Sequence, residues 1–129
     1  HKKDLNENNY LVESILFDDI VPYLPKNTNN KQYKQAILKI DIDGFEPFSF
    51  QYAQKLFETI EIPIVFFEWE NVTNQYENHR LIVEIIHFLN SRKLIPYSIS
   101  EDGKEEVLDR NDWLHWPANI IWKMKNFNF

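Results

Sequence analysis

The chain has 129 residues, of which 43% are hydrophobic and 16% aromatic, and its 14 basic and 20 acidic side chains give a net charge of −6. This composition is typical of a globular domain. The negative charge argues against a nucleic-acid partner, because phosphate-binding surfaces need clustered Lys and Arg. The lack of cysteine excludes disulfides, thiolate zinc sites and a cysteine nucleophile within this stretch, and no apolar run approaches the ~18 residues of a membrane span.

The amino-terminal third predicts little regular structure before one central strand. Residues 1–9 are polar and are expected to be disordered, and alternating apolar residues predict a short strand over 10–17. Asp18 and Asp19 are amino-terminal cap signals for a short helical turn. A polar loop is expected to follow and to lead into the central strand.

The central apolar run, residues 36–42, has the β-branched character of a parallel strand buried on both faces. Helical spacing predicts an amphipathic helix over 49–60, and residues 64–67 predict a second strand. Together these segments form a βαβ unit.

The carboxyl-terminal half predicts the remainder of a single α/β domain that spans residues 1–129. Residues 71–78 and 111–117 read as loops, and the clearest 3.6-residue stripe predicts a helix over 79–91. Strands are predicted over 94–100, near 107–108 and over 119–123, with a hairpin-like turn over 101–104.

Four carboxylates follow the two predicted parallel strands. Asp41, Asp43 and Glu46 come after the first strand and Glu68 ends the second, and ligands bind at the carboxyl ends of strands in open α/β sheets. Such a group can orient substrate hydroxyls, act as a general base or bind a divalent cation, although no other ligand pattern supports a metal. The alternative for Asp43 and Glu46 is capping of the next helix, and Gly44 is expected to permit a positive φ in the turn.

Other polar and aromatic residues leave structural and functional interpretations open. Trp69 is either a pocket wall or an aromatic in the layer between helices and sheet. His79 and His87 are too far apart for zinc spacing, and His115 is assigned to loop packing. Asn71 begins an Asn-Val-Thr glycosylation sequon in a predicted loop, which weakly favours the secretory lumen over the cytoplasm, and the compartment is left open.

The segment Lys-Ile-Asp-Ile-Asp-Gly-Phe-Glu, residues 39–46, resembles the FkbM-type methyltransferase family, whose members carry Lys-Ile-Asp-Val-Glu-Gly-x-Glu at this point. Asp43 stands where the family usually has Glu. Residues 14–20 are similar to the Thr-Leu-Asp-Asp-Leu segment of the family, and the order of the later segments also agrees, so that the resemblance covers residues 10–125.

The resemblance implies the carboxyl-terminal portion of a Rossmann-like methyltransferase fold, a three-layer sandwich with a mixed, mostly parallel sheet. It implies methyl transfer from S-adenosylmethionine to an oxygen of a small molecule or glycan, typically a sugar hydroxyl. Asp41 would orient or deprotonate that hydroxyl, with Asp43, Glu46 and Glu68 in support, and Asp41 and Gly44 would contact the cofactor. Since no glycine-rich cofactor loop is present, we expect this part alone to bind the cofactor weakly and to self-associate through exposed sheet edges.

Two alternatives from other classes stay open. Asp41-Ile42-Asp43-Gly44 also resembles the nucleophile motif of haloacid-dehalogenase-type phosphatases, although Phe45 stands where that family prefers Thr. The other alternative is a degenerate α/β module that binds or supports a partner without catalysis.

Overall fold

The computed structural model describes residues 12–74 and 79–128. Its strands are β1 (Gln35–Ile40), β2 (Glu61–Glu68), β3 (Leu94–Ile99), β4 (Glu105–Val107) and β5 (Asn119–Met124). Its α-helices are α1 (Glu46–Ser49), α2 (Gln54–Thr59), α3 (Trp69–Thr73) and α4 (His79–Ser91), and 3₁₀ helices span Phe17–Tyr23, Phe50–Tyr52 and Arg110–His115. Within these ranges, no helix combines the length and the apolar character that crossing a membrane would need.

The described strands form one open mixed sheet in the order β1-β2-β5-β3-β4. β1 and β2 are parallel, as the βαβ pattern predicts, and β5 lies antiparallel between β2 and β3. The α/β class and the mixed sheet are therefore confirmed. The prediction of a mostly parallel sheet agrees with the strand directions, because β1, β2 and β3 point the same way. It does not agree with the pairing, because β1–β2 is the single parallel neighbour pair in the described sheet.

The two faces of the sheet differ in how they are covered. Alternate strand residues on one face join the apolar side chains of the helices in one core cluster. The opposite face carries two cross-strand rows, given by the strand register as Ile37-Ile64-Lys123-Ile95 and Lys39-Phe66-Ile121-Tyr97. The described helices thus cover one face, and a third layer is not seen within residues 12–74 and 79–128.

The prediction that the central strand is buried on both faces is wrong for β1. β1 is an outer strand of the sheet, and its burial alternates, so that Ile37 is 58% exposed whereas Ile40 is 4% exposed. Ala36, Leu38 and Ile40 contact the core, so one face of this strand is covered. β1 and β4 are the outer strands of the described sheet, and self-association through them stays a prediction.

The predicted helix over 49–60 is divided into three short helices. Ala53 has φ −120° and ψ −5°, which interrupts the helical backbone between the 3₁₀ helix and α2. The backbone N–H of Leu56, in the first turn of α2, donates a hydrogen bond to Oδ1 of Asp18 at 2.9 Å. Asp18 lies inside the 3₁₀ helix Phe17–Tyr23, and its side chain caps α2, 38 residues away in sequence.

The predicted strand over 10–17 is wrong for its described residues. Residues 12–16 have no regular structure and Phe17 begins a 3₁₀ helix. The side chain of Asp19 turns back and accepts a hydrogen bond from the amide of Leu16 at 3.1 Å, which bends the chain before the helix. Residues 1–11, including the predicted disordered end, lie outside the described residues.

Later elements agree more closely with the sequence. α4 begins and ends where its apolar stripe predicts, and the strands predicted over 94–100, near 107–108 and over 119–123 are present as β3, β4 and β5. Two predicted loops contain helices instead. Residues 71–73 belong to α3, because the fully buried Trp69 and Val72 anchor that turn in the core, and the sequon thus lies on a helix. The 3₁₀ helix Arg110–His115 occupies the second loop.

Candidate functional site

The acidic turn after β1 takes its shape from an Asp-Gly pair. Asp43 has φ +54° and Gly44 has φ +95°, and the amide of Phe45 donates to the carbonyl oxygen of Ile42 at 3.2 Å. Two successive central residues with positive φ are typical of a type I′ turn, which favours Asp-Gly. The expectation of a positive φ at Gly44 is confirmed. Gly44 is buried in the turn and does not line the cleft described below.

Glu46 fixes this turn from the protein interior. Its side chain is fully buried, and Oε1 accepts a hydrogen bond from the amide of Ile42 at 2.9 Å. Its other oxygen, Oε2, has no hydrogen-bond partner among the described residues. Glu46 is not one of the three carboxylates that converge at the strand ends. Its contacts therefore hold the backbone that carries Asp41 and Asp43.

Asp41, Asp43 and Glu68 converge at the carboxyl ends of the two parallel strands. Ile40 pairs with Phe67 in the β1–β2 register, so the residues that follow them, Asp41 and Glu68, are neighbours. Each of the three carboxylates places an oxygen within 4.8 Å of the others. The sequence argument that adjacent parallel strands bring their terminal acids together is confirmed for these three residues.

The proximity of Asp41 changes the acidity of Glu68. A hydrogen bond with the Asp41 carboxylate and then the charge of Asp41 raise the pKa of Glu68 above its ordinary value of 4.5. Partial desolvation and the charge of Asp43 act in the same direction, whereas the hydrogen bond that Asn71 Nδ2 donates to Glu68 Oε2, at 2.8 Å, lowers the pKa. A carboxyl group can donate a hydrogen bond only when protonated, so it is the protonated form of Glu68 that Asp41 favours.

The carboxylate pair borders a cleft of about 320 Å³ on the face of the sheet opposite the helices. Phe66, Ile121 and Ile99 supply apolar lining, and Asn119 supplies an amide beside the carboxylates of Asp41 and Glu68. A cleft of this size and mixed character suits a small ligand. The arrangement can hold a hydroxyl group by hydrogen bonds to the carboxylates and can accept its proton.

The sequence does not predict Asn71 and Asn119 as residues of this site. Asn71 follows Glu68 by three residues, a spacing that brings two side chains together on a helix. This signal becomes visible only when α3 is predicted. Asn119 pairs with Glu68 only because β5 inserts between β2 and β3, which local sequence does not reveal. Trp69 is fully buried and its Nε1 donates to the carbonyl oxygen of Trp113 at 2.8 Å, so it belongs to the layer between helices and sheet.

The three converging carboxylates offer the oxygen ligands that hard divalent cations prefer. Within residues 12–74 and 79–128, this is the one group of three or more potential metal ligands, and no histidine belongs to it. Exposed acidic groups of this kind are common without an ion, so the cluster by itself identifies no metal.

No protein-family model, curated protein or solved structure matches this chain. The geometry of the cleft and the residue pattern around Asp41 are therefore the features that bear on function.

Proposed function

We propose that the protein takes part in methyl transfer from S-adenosylmethionine to a hydroxyl group of a small molecule or glycan. The observation that carries the proposal is the convergence of the Asp41 and Glu68 carboxylates at the border of a cleft, at the ends of two parallel strands. The similarity of residues 39–46 to the FkbM-type motif supplies the identity of the methyl donor. The described sheet, in which β4 and β5 run opposite to the other three strands, is compatible with the mixed sheet that the resemblance implies.

The residues around the cleft fit the reactive end of the cofactor. S-adenosylmethionine, when bound, supplies an electrophilic methyl group on a cationic sulfonium, whose transfer leaves the electron pair of the broken S–C bond on sulfur. The carboxylates favour a nearby positive charge, and Phe66 and Ile121 give an apolar surface beside them. The two glycines of the chain, Gly44 and Gly103, do not form a glycine-rich loop, so the described residues fit the methyl-transfer side alone.

The chemical task of the carboxylate pair is to orient the acceptor and take its proton. The hydroxyl donates a hydrogen bond to Asp41, and its oxygen gains nucleophilic character as the proton moves to the carboxylate. The raised pKa of Glu68 makes this carboxylate a stronger base than an ordinary one, because general-base efficiency rises as the pKa approaches the working pH. Asn71 holds Glu68 in place through its hydrogen bond to Oε2.

The test measures transfer of a labelled methyl group from S-adenosylmethionine to glycans and hydroxylated small molecules, with protein expressed from its complete reading frame. Asp41→Asn and Glu68→Gln are expected to reduce transfer about 100-fold or more, in the range of a lost general base. Glu106→Gln removes a charge from an exposed position on β4, away from the cleft, and should leave transfer unchanged. Full activity of both cleft variants, or no transfer to any acceptor, would contradict the proposal.

A phosphatase is the second candidate, because Asp41, Asp43 and Glu68 place oxygens within 4.8 Å of one another, a set that could hold Mg²⁺. In that case Asp41 would be the nucleophile and Asp43 the acid/base. Magnesium-dependent hydrolysis of a generic phosphate ester that Asp41→Asn abolishes would favour this candidate. Absence of both activities would favour the non-catalytic module.

A further inference from the structure

A second cleft, of about 370 Å³, lies on the helical side of the protein between α4 and the 3₁₀ helix Arg110–His115. Its lining combines an apolar wall with polar groups. Ile86 and the half-buried indole of Trp113 form the wall, while His87, Asn90, Arg110 and Asn111 provide cationic or hydrogen-bonding groups. The lining residues of this cleft differ from those of the cleft at Asp41 and Glu68.

The charge in this cleft is positive although the protein carries a net charge of −6. Among the residues that the structure describes, no carboxylate lines it. Arg80 and Arg92 form ion pairs with Glu side chains, whereas Arg110, the remaining arginine, forms no ion pair with any described residue. An uncompensated guanidinium in a concave site is well suited to bind an anion, because it presents several donors in a fixed plane.

The two acids nearest to Arg110 in sequence are engaged elsewhere. Asp109 caps the 3₁₀ helix, since its Oδ1 accepts a hydrogen bond from the amide of Asn111 at 2.9 Å. Asp112 is held by His115, whose Nδ1 lies 2.5 Å from its Oδ1. Neither carboxylate pairs with the guanidinium within the described part of the chain, so the donors of Arg110 are available to a ligand.

Both walls of the cleft are fixed to the core. The indole of Trp69 donates a hydrogen bond to the carbonyl oxygen of Trp113 at 2.8 Å, and the indole of Trp116 donates to that of Asp109 at 2.8 Å. The opposite wall is the surface of α4, whose other face is buried in the core. A site on two anchored elements keeps its shape before a ligand arrives, which lowers the cost of binding.

We propose that this cleft binds a small aromatic anion, with its phosphate or carboxylate group on Arg110 and its ring against Trp113. Asn90, Asn111 and His87 supply further donors around the anionic group. The volume falls in the range of small-molecule sites, and indole faces pack well against planar rings. The site is independent of the function proposed for Asp41 and Glu68.

The experiment titrates the protein, expressed from its complete reading frame, with phenyl phosphate and separately with benzoate. Calorimetry measures affinity, and the indole N–H resonance of Trp113, assigned with Trp113→Phe, reports the location. Saturable binding with a Kd of about 1 mM or lower is expected for at least one of the two anions. Arg110→Gln should weaken that binding about 10-fold or more, the effect of losing a hydrogen bond to a charged group.

Controls separate this site from general attraction of anions. Lys55→Gln removes an exposed cation on α2, away from the cleft, and should leave the affinity unchanged. Phenol has the ring without the anion and should bind at least 10-fold more weakly, by roughly the same lost interaction. Equal binding of phenol, equal binding by Arg110→Gln, an unmoved Trp113 resonance or no saturation would each overturn the proposal. Circular dichroism of each variant verifies that its fold is intact.

Discussion

The hydrogen bond from the Ile42 amide to Glu46 is expected to stabilise the acidic turn and, with it, the whole domain. Glu46→Ala removes this bond and one packed methylene from a fully buried site. The lost hydrogen bond costs about 1–3 kcal/mol and the methylene about 0.8 kcal/mol. The free energy of unfolding should therefore fall by about 2–4 kcal/mol, a large part of the stability of a single domain.

Glu46→Gln is the matched control. It keeps a carbonyl oxygen at the position of Oε1 and replaces Oε2, which has no partner among the described residues, with an amide nitrogen. Because one unpartnered atom replaces another, the free energy of unfolding of this variant should stay within about 1 kcal/mol of that of the wild type.

Urea denaturation and thermal unfolding, each followed by circular dichroism, measure both effects. An unfolding entropy of about 2.1 cal/mol/K per residue predicts that Glu46→Ala lowers the Tm by about 7–15 °C. Amide hydrogen exchange at Ile42 should accelerate in the Ala variant alone. If Glu46→Gln loses as much stability as Glu46→Ala, the bond to Ile42 is not what stabilises the turn, and the reasoning is refuted.

Two further predictions concern the pH dependence of the carboxylate pair and a long-range helix cap. The pKa of Glu68 is raised in the folded protein, so its contribution to stability is fully present below pH 4.5 and is lost as the pH rises through the raised value. Asp41→Asn removes the carboxylate whose hydrogen bond and charge raise this pKa, so ¹³C NMR of the Glu68 carboxyl should record a lower pKa, and an unchanged value would contradict Asp41 as the cause of the shift. Asp18→Ala removes the acceptor of the Leu56 amide and should cost about 1 kcal/mol in urea denaturation. Asp18→Asn retains an acceptor oxygen and should cost clearly less, so equal losses would argue against the cap.

The sequence predicts those elements that depend on local pattern. The stripe Leu81, Ile82, Ile85, Ile86 and Leu89 is continuous, and all five side chains are buried in α4. By contrast, the helix before β2 is divided at Ala53, and the second part, α2, is capped by the side chain of Asp18 from another part of the chain. The helical spacing of apolar residues gives no sign of this contact, and it therefore predicts one continuous helix across Ala53.

The candidate site divides along the same line. The convergence of Asp41 and Glu68 follows from a general property of parallel strands, and the chain order of strand, helix and strand was enough to predict it. Asn119 joins the site through the insertion of β5 between β2 and β3, which no local pattern specifies. The spacing of Glu46 predicts a place beside the other acids, but after the reversal of the chain at Gly44 its side chain lies in the core.

A substitution of Asp43 can distinguish its role in the turn from its role in the site. Its φ of +54° is unfavourable for most residues, and Asn adopts this conformation at least as readily as Asp. Asp43→Asn also removes a negative charge within 4.8 Å of Asp41 and Glu68. Both effects favour the folded state, so the variant should be more stable by about 0.5 kcal/mol in urea denaturation.

If the Asp43 carboxylate contributes to binding or proton transfer, the same variant should lose methyl transfer even though it gains stability. A residue that serves the turn alone would show the gain without the loss. A less stable variant would contradict the assignment of repulsion among these carboxylates, because in that case the Asp43 charge would be stabilising the folded protein. The sign of the stability change therefore tests the electrostatics, and the activity tests the function, in one protein.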